Sequence, residues 1–300
     1  MSLGWAIVST GRHPDLKMAP AINAVEDAEI RAVVSRDMKR AEEFALKHRV
    51  QAAYDDFESM LRDPSVDIVY LASPNALHCD QTMRAAQAGK HVLCEKPMAL
   101  TVEECQLMIE TCVQHGVRLG VGFHLRYHQG HSHLRDLISK NALGSIALLQ
   151  AQWAYGIRGL ERPNPRLGLQ QWWEEPSLVG AGTWMGTGVH CVDLLRYILG
   201  EEVEEVSAIT DASDASPLEH LATVLLRFRN GAIATVVASR KLPDSRNNLT
   251  IYGSEGKAEI GASLSTDLQG DLTAKTDQIE ISENYKPDPL AMYIEQVDKF

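Results

Sequence analysis

The sequence predicts two architectures in one chain: a doubly wound α/β half built on a parallel sheet, then an α+β half with an open, mainly antiparallel sheet. Up to about residue 123, short apolar runs alternate with helical patterns, the rhythm of strands laid parallel and covered by helices on both faces. Beyond it, strand-like runs follow one another without intervening helices, which requires antiparallel pairing. Finally, 300 residues exceed a comfortable single core, so two domains are expected, 1–123 and 124–300.

In the first half, strands are predicted at 5–9, 30–34, 68–72, 91–94 and 118–121. Amphipathic helices are predicted at 38–48, with Ala41, Phe44 and Ala45 at helical spacing, and at 82–88 and 102–115. In the second half, a helix at 129–139 leads to a long strand at 146–155 and an Arg/Pro/Gly-rich loop at 156–168. A helix at 189–199 and strands at 203–209, 222–228, 232–239, 248–252 and 258–260 follow. Arg229-Asn230-Gly231 reads as a hairpin turn. A last helical pattern, Leu290, Tyr293, Ile294 and Val297, reaches the final residue, so that element is expected to be cut short.

Composition excludes several classes. With 45% hydrophobic and 23% charged residues, the chain is an ordinary globular one. Its longest apolar runs are strand-sized, so no membrane span is expected. A net charge of −11 disfavours sequence-independent nucleic-acid binding, which needs basic surface. The chain enters a strand at Trp5 without a basic leader. Its five cysteines form no C-x-x-C pair, so reduced thiols and a cytoplasmic location are expected. Eleven histidines, four of them at 124, 128, 131 and 133, show no zinc spacing, and no metal is expected.

Three stretches carry chemistry. The first, "WAIVSTGRHPD", lies where a dinucleotide fingerprint belongs, with Ser9, Gly11 and Pro14 at the three glycine positions. Only the middle glycine survives. Serine is small enough for the turn, and proline suits a helix's first turn. Ser9, Thr10, Gly11 and Arg12 are therefore candidate cofactor ligands, with Arg12 offsetting Asp15 near a pyrophosphate. In the second, "AVVSRDMKR", Ser35 and Arg36 stand where an acid would bind the adenosine ribose of NAD. An arginine there accommodates a 2′-phosphate, so NADP is favoured and NAD remains an alternative; equally, Ser35 or Asp37 serves as a helix cap. The third, "HVLCEKPM", ends a core strand on Glu95, Lys96 and Pro97. A lysine at that place loses hydration and tends to lose its proton, unless it is a solvated turn residue paired with Glu95.

Together with "SPNALH" (73–78) and "GVHCVDLLRYILG" (188–200), in this order and spacing, these stretches resemble the glucose–fructose oxidoreductase/inositol dehydrogenase (Gfo/Idh/MocA) family. The resemblance implies a Rossmann domain, an α+β domain and a nicotinamide-dependent oxidoreductase acting on a sugar, cyclitol or related polyol. It implies that Lys96 is the catalytic lysine, directed at the substrate by Pro97, and that Glu95 lies on the nicotinamide side. Ser73, Pro74, Asn75 and His78 become further cofactor-binding candidates. His190 becomes the general acid/base and a substrate ligand, but its family partner, an aspartate four residues earlier, is Gly186 here. Asp193 is a weak substitute. His124 and Arg126 are substrate-binding candidates. Trp153, Tyr155, Trp172, Trp173 and Trp184, with Arg126, Arg158, Arg162 and Arg166, suit polyol or sugar-acid recognition, although aromatics of this kind more often form core or interface. Two other functions fit the same fold: a catalytically impaired nucleotide sensor and an NAD-dependent glycosidase. A homodimer or homotetramer is expected through the second half's sheet.

Overall fold

The computed structural model describes residues 2–300 and divides into two units. Among the described residues, the first unit holds 2–122, 166–180 and 293–300; the second holds 123–165 and 181–292. The chain therefore returns to its first unit twice.

Six parallel strands form the first unit's sheet: β1 (Leu3–Val8), β2 (Ala28–Val34), β3 (Ala52–Tyr54), β4 (Ile68–Leu71), β5 (His91–Cys94) and β6 (Leu119–Val121). Their order is β3-β2-β1-β4-β5-β6. Alternate residues feed two cores. Trp5, Ile7, Ile68 and Tyr70 pack with α1 (Ala19–Ile22), with Phe44 of α2 (Met38–His48), and with Tyr293 and Val297 of α9 (Ala291–Lys299). Ala6, Val8, Val69 and Leu71 pack with α3 (Phe57–Leu61), α4 (His78–Gln87) and Met108 of α5 (Val102–Gln114). Burial on both sides explains why these strands read as continuous apolar runs. α5 starts on a capping box, in which Thr101 accepts from the Glu104 amide and Glu104 reaches back.

The second unit carries α6 (Gln129–Ser139), α8 (Val189–Leu199) and eight strands. These are β7 (Ile146–Ala154), β8 (Val203–Thr210), β9 (Leu221–Phe228), β10 (Ile233–Ser239), β11 (Leu249–Gly253), β12 (Gly256–Gly261), β13 (Leu268–Thr276) and β14 (Glu280–Asp288). They run in the order β14-β13-β12-β11-β7-β10-β9-β8, and every pairing is antiparallel except β7 with β10. The expected turn joins β9 to β10, with Gly231 at φ 89°. Leu134, Leu137, Leu194 and Ile198 of α6 and α8 join Leu226 and Phe228 in the core on one face. The other face leaves Ile209, Leu225, Ile233 and Tyr252 exposed.

Three strands escaped the sequence reading. β3 is three residues of "AAY", too short for a period. β13 buries Leu268, Gly270, Leu272 and Ala274 alternately, but half of these are small. β14 is a largely polar edge. No described helix is long and apolar enough to cross a membrane.

Candidate active site

In the first unit the turns after β1, β4 and β5 gather where the strand order reverses, the place at which open parallel sheets bind ligands. Ser9 adopts φ 112°, a backbone that ordinarily selects glycine. This is the first fingerprint position, so the turn keeps its shape without its glycine. The Gly11 amide donates to Ser9 Oγ at 3.2 Å, and Pro14 opens the wide π-type turn Pro14–Met18 that runs into α1.

Asp15 does not depend on Arg12. Its carboxylate pairs with Lys47 Nζ at 2.8 Å and His48 Nε2 at 2.7 Å, at the end of α2. Burial opposes that charge, but these two partners hold the carboxyl below the usual range. After β2, Ser35 is buried and Arg36 is exposed. Ser35 Oγ receives the Thr10 hydroxyl at 3.5 Å and the Asp37 amide at 3.4 Å. Asp37, the acid nearest this strand end, caps α2 by accepting from the Arg40 amide at 3.2 Å.

In the turn after β4, three of the cofactor-binding candidates have side-chain partners within the protein. His78 is fully buried, with Nδ1 2.9 Å from the Pro97 carbonyl oxygen and Nε2 3.0 Å from that of Ser73. It braces the turns after β4 and β5 against each other. The side chains of Asn75 and Ser73 are likewise engaged within the protein. Asn75 Nδ2 donates to the Val179 carbonyl, at the end of α7 (Pro176–Val179), at 3.0 Å, and Ser73 Oγ to Gln81 at 2.6 Å.

After β5, Glu95 is largely enclosed, its side chain 13% exposed, and ionised. Tyr70 donates to its Oε1 at 2.8 Å, and His13 Nε2 lies 3.2 Å from the same oxygen. Burial raises the carboxyl pKa, but His13, then Lys96 and the Tyr70 hydroxyl, overcome it and hold the group at about 2. A Cβ at Gly122, beyond β6, would come within 2.8 Å of that carboxylate. Lys96 follows, joined to Pro97 by a cis peptide bond. Burial pushes its ammonium pKa down; Glu95 opposes and Arg166 adds to the fall. His13 and Tyr70 were not singled out from the sequence. A tyrosine within a wholly apolar strand was the available signal, since a buried hydroxyl needs a partner.

In the second unit, His190 of α8 is buried between aromatic rings: Phe123 at 5.8 Å, His124 at 4.7 Å and Trp153 at 5.2 Å. His124 Nε2 meets the Ser265 carbonyl at 3.0 Å. Gly186 lies in the wide turn Trp184–Gly188, just before α8. Asp193 does not replace the missing aspartate. It grips Arg126 through Nε at 2.8 Å and Nη2 at 2.5 Å, and Arg126 is thereby fixed beside Tyr197. His128 and His131 bind the backbone carbonyls of Gln269 and Leu125, roles in support of the fold.

A six-stranded parallel sheet with its loops gathered at the switch point is the architecture of a nucleotide-binding Rossmann unit. The chain belongs to the Gfo/Idh/MocA oxidoreductases: residues 3–123 match the model "Oxidoreductase family, NAD-binding Rossmann fold" and 131–259 the GFO/IDH/MocA C-terminal domain. It is 30% identical to 1,5-anhydro-D-fructose reductase of Ensifer adhaerens over 264 residues, covering 87% of this chain and 76% of that one. It is 29% identical to D-xylose 1-dehydrogenase (NADP(+)) 2 of Haloferax volcanii, covering 99% and 87%. Among solved structures it resembles the aldose-aldose oxidoreductase of Caulobacter crescentus, crystallised with glycerol. That match has a TM-score of 0.88 and 28% identity, covering 99% of this chain and 88% of the other.

Proposed function

We propose that this protein is an NADP-preferring oxidoreductase acting on a carbon that bears a hydroxyl or carbonyl, in a sugar, cyclitol or related polyol. The observation that carries this is Lys96, a partly buried lysine just beyond the carboxyl end of a Rossmann strand, beside an ionised glutamate. The relatives that act on an anhydrosugar and on xylose support the substrate class.

The first unit fits a nicotinamide dinucleotide by its donors. The positive-φ turn at Ser9, the Gly11 amide and the helical segment beyond suit a pyrophosphate. Ser35 and Arg36, with Asp37 committed to its cap, suit a 2′-phosphate. The nicotinamide, when bound, supplies or accepts the hydride. Lys96 Nζ then donates a hydrogen bond to the substrate oxygen and stabilises the negative charge that gathers there. Glu95 sets a negative charge near that amine, and His78 fixes the turn carrying both. We assign the accompanying proton exchange to the His190 imidazole, with His124 and Arg126 as substrate ligands.

Absorbance of the reduced cofactor, followed over a panel of sugars, cyclitols and polyols with NADP and NAD, tests the reading. Lys96→Ala should lower kcat on the order of 100-fold with little change in cofactor affinity, and Arg36→Ala should weaken NADPH more than NADH by titration calorimetry. Full turnover in Lys96→Ala would overturn it.

A further inference from the structure

His13 stands where two turns of the first unit meet. It precedes Pro14 at the end of the fingerprint turn after β1, and its Nε2 lies 3.2 Å from Glu95 Oε1, beyond β5. One imidazole therefore joins the turn suited to a pyrophosphate to the turn that carries Lys96.

The acid of this pair is fixed. Glu95 Oε1 receives the Tyr70 hydroxyl at 2.8 Å, and Oε2 receives the Lys96 backbone amide at 3.3 Å. The imidazole is more open, with 34% of its side chain exposed, so it exchanges protons with solvent. Facing the pair are Tyr70 of β4, Lys96, His78 of α4 and Tyr293 of α9. The Tyr293 ring meets the imidazole edge-on at 5.3 Å and has Lys17 Nζ 5.6 Å from its centroid. Glu95 stays ionised down to about pH 2, and burial drives the Tyr70 hydroxyl well up and His78 toward its neutral form. Imidazole is the side chain that ordinarily changes charge between about pH 5 and 8, and His13 is the solvent-reached imidazole of this cluster.

The strand order is β2-β1-β4-β5. A dinucleotide with its adenosine ribose at the end of β2 and its pyrophosphate at the turn after β1 runs on toward β4 and β5. Its nicotinamide end then falls on the side where His13 and Glu95 stand. The oxidised ring is cationic and the reduced ring neutral, so a nearby charge discriminates between the two forms. With His13 neutral, this region is one charge more negative than with His13 protonated.

We propose that His13 selects the oxidation state of the bound cofactor. Protonated, it masks the Glu95 carboxylate and favours NADPH; neutral, it exposes the cationic ring of NADP⁺ to that carboxylate and favours NADP⁺. This rests on the reading of the first unit as a nicotinamide dinucleotide site and deepens it. NADP⁺ binds the deprotonated form more tightly, so by linkage its binding expels the His13 proton. The affinity for NADP⁺ relative to NADPH accordingly rises with pH.

Titration calorimetry of NADP⁺ and of NADPH from about pH 6 to about pH 9 tests this without any substrate. The 2′-phosphate titrates in both forms and cancels in their ratio. The NADP⁺-to-NADPH affinity ratio should rise about 10-fold across the range, the worth of one charge a few ångströms away in a partly screened site. His13→Gln should hold the ratio near its high-pH value and His13→Lys near its low-pH value, each with a flattened pH dependence. Opposite shifts from one position are not what a loss of structure gives, and retained NADPH binding shows that each variant is folded. A ratio independent of pH in the parent protein, or a pH dependence that survives in His13→Gln, overturns the proposal and leaves the cofactor reading intact. Binding of neither form by the parent protein removes both.

Discussion

The Tyr70 hydroxyl and the Glu95 carboxylate meet at 2.8 Å between two adjacent parallel strands. That contact, with His13 on the same oxygen, keeps a largely enclosed acid charged at the base of the candidate active site. Because its folded pKa of about 2 lies below the ordinary 4.5, Glu95 stabilises the fold fully above about pH 4.5. The contribution is lost as pH falls toward 2. Tyr70→Phe should raise the carboxyl pKa, move the acid unfolding midpoint to higher pH and cost about 1–2 kcal/mol at neutral pH in urea unfolding. An unchanged acid midpoint would show that the hydroxyl contributes nothing.

Lys96 shows the opposite sign. Burial, reinforced by Arg166, pushes its pKa below the ordinary 10.5, so the ammonium is lost at lower pH than from a free lysine. The basic limb of the kcat profile should fall below 10.5, and Arg166→Gln should move it upward. A limb that stays fixed in that variant would mean that another group titrates.

His190 has aromatic neighbours in its own unit, Gly186 in place of the family aspartate, and Asp193 bound to Arg126. His190→Ala should therefore cost less than the roughly 100-fold or more that loss of a well-oriented general acid/base costs. Gly186→Asp should raise activity and shift the His190 limb of the profile upward, because a carboxylate favours imidazolium. A falling kcat with an unmoved limb would show that the aspartate has no role here.

The exposed sheet face bearing Ile209, Leu225, Ile233 and Tyr252 is our proposed interface for a homodimer or homotetramer, since exposed apolar faces of this kind mark association. Light scattering at micromolar concentration should show the oligomer, and Leu225→Asp should dissociate it. A monomeric parent protein would contradict this.

The local pattern determined a good deal. Apolar periodicity is written within a few residues of itself, so the alternation that builds the parallel sheet and the change to strand runs afterwards were legible. The lysine that ends β5 was legible for the same reason, because a strand and the turn after it are adjacent in sequence. Weak strands were not: β13 buries glycine and alanine, and β14 is polar, so their pairing follows from neighbours rather than from their own pattern.

What the tertiary structure alone decided is which side chains meet. The family resemblance makes Asn75 a cofactor-binding candidate, and the fold gives its side-chain amide a partner no local pattern announces, the Val179 carbonyl 104 positions away. Asp193 reads as a partner for His190 and instead pairs with Arg126, 67 positions away. Trp173 and Arg166 sit in a loop with no period, and folding brings them to Lys96. Propensity and pattern act over a turn of helix or a strand. Partners at such separations are chosen by how the sheets and helices pack, and that information is spread over the whole chain.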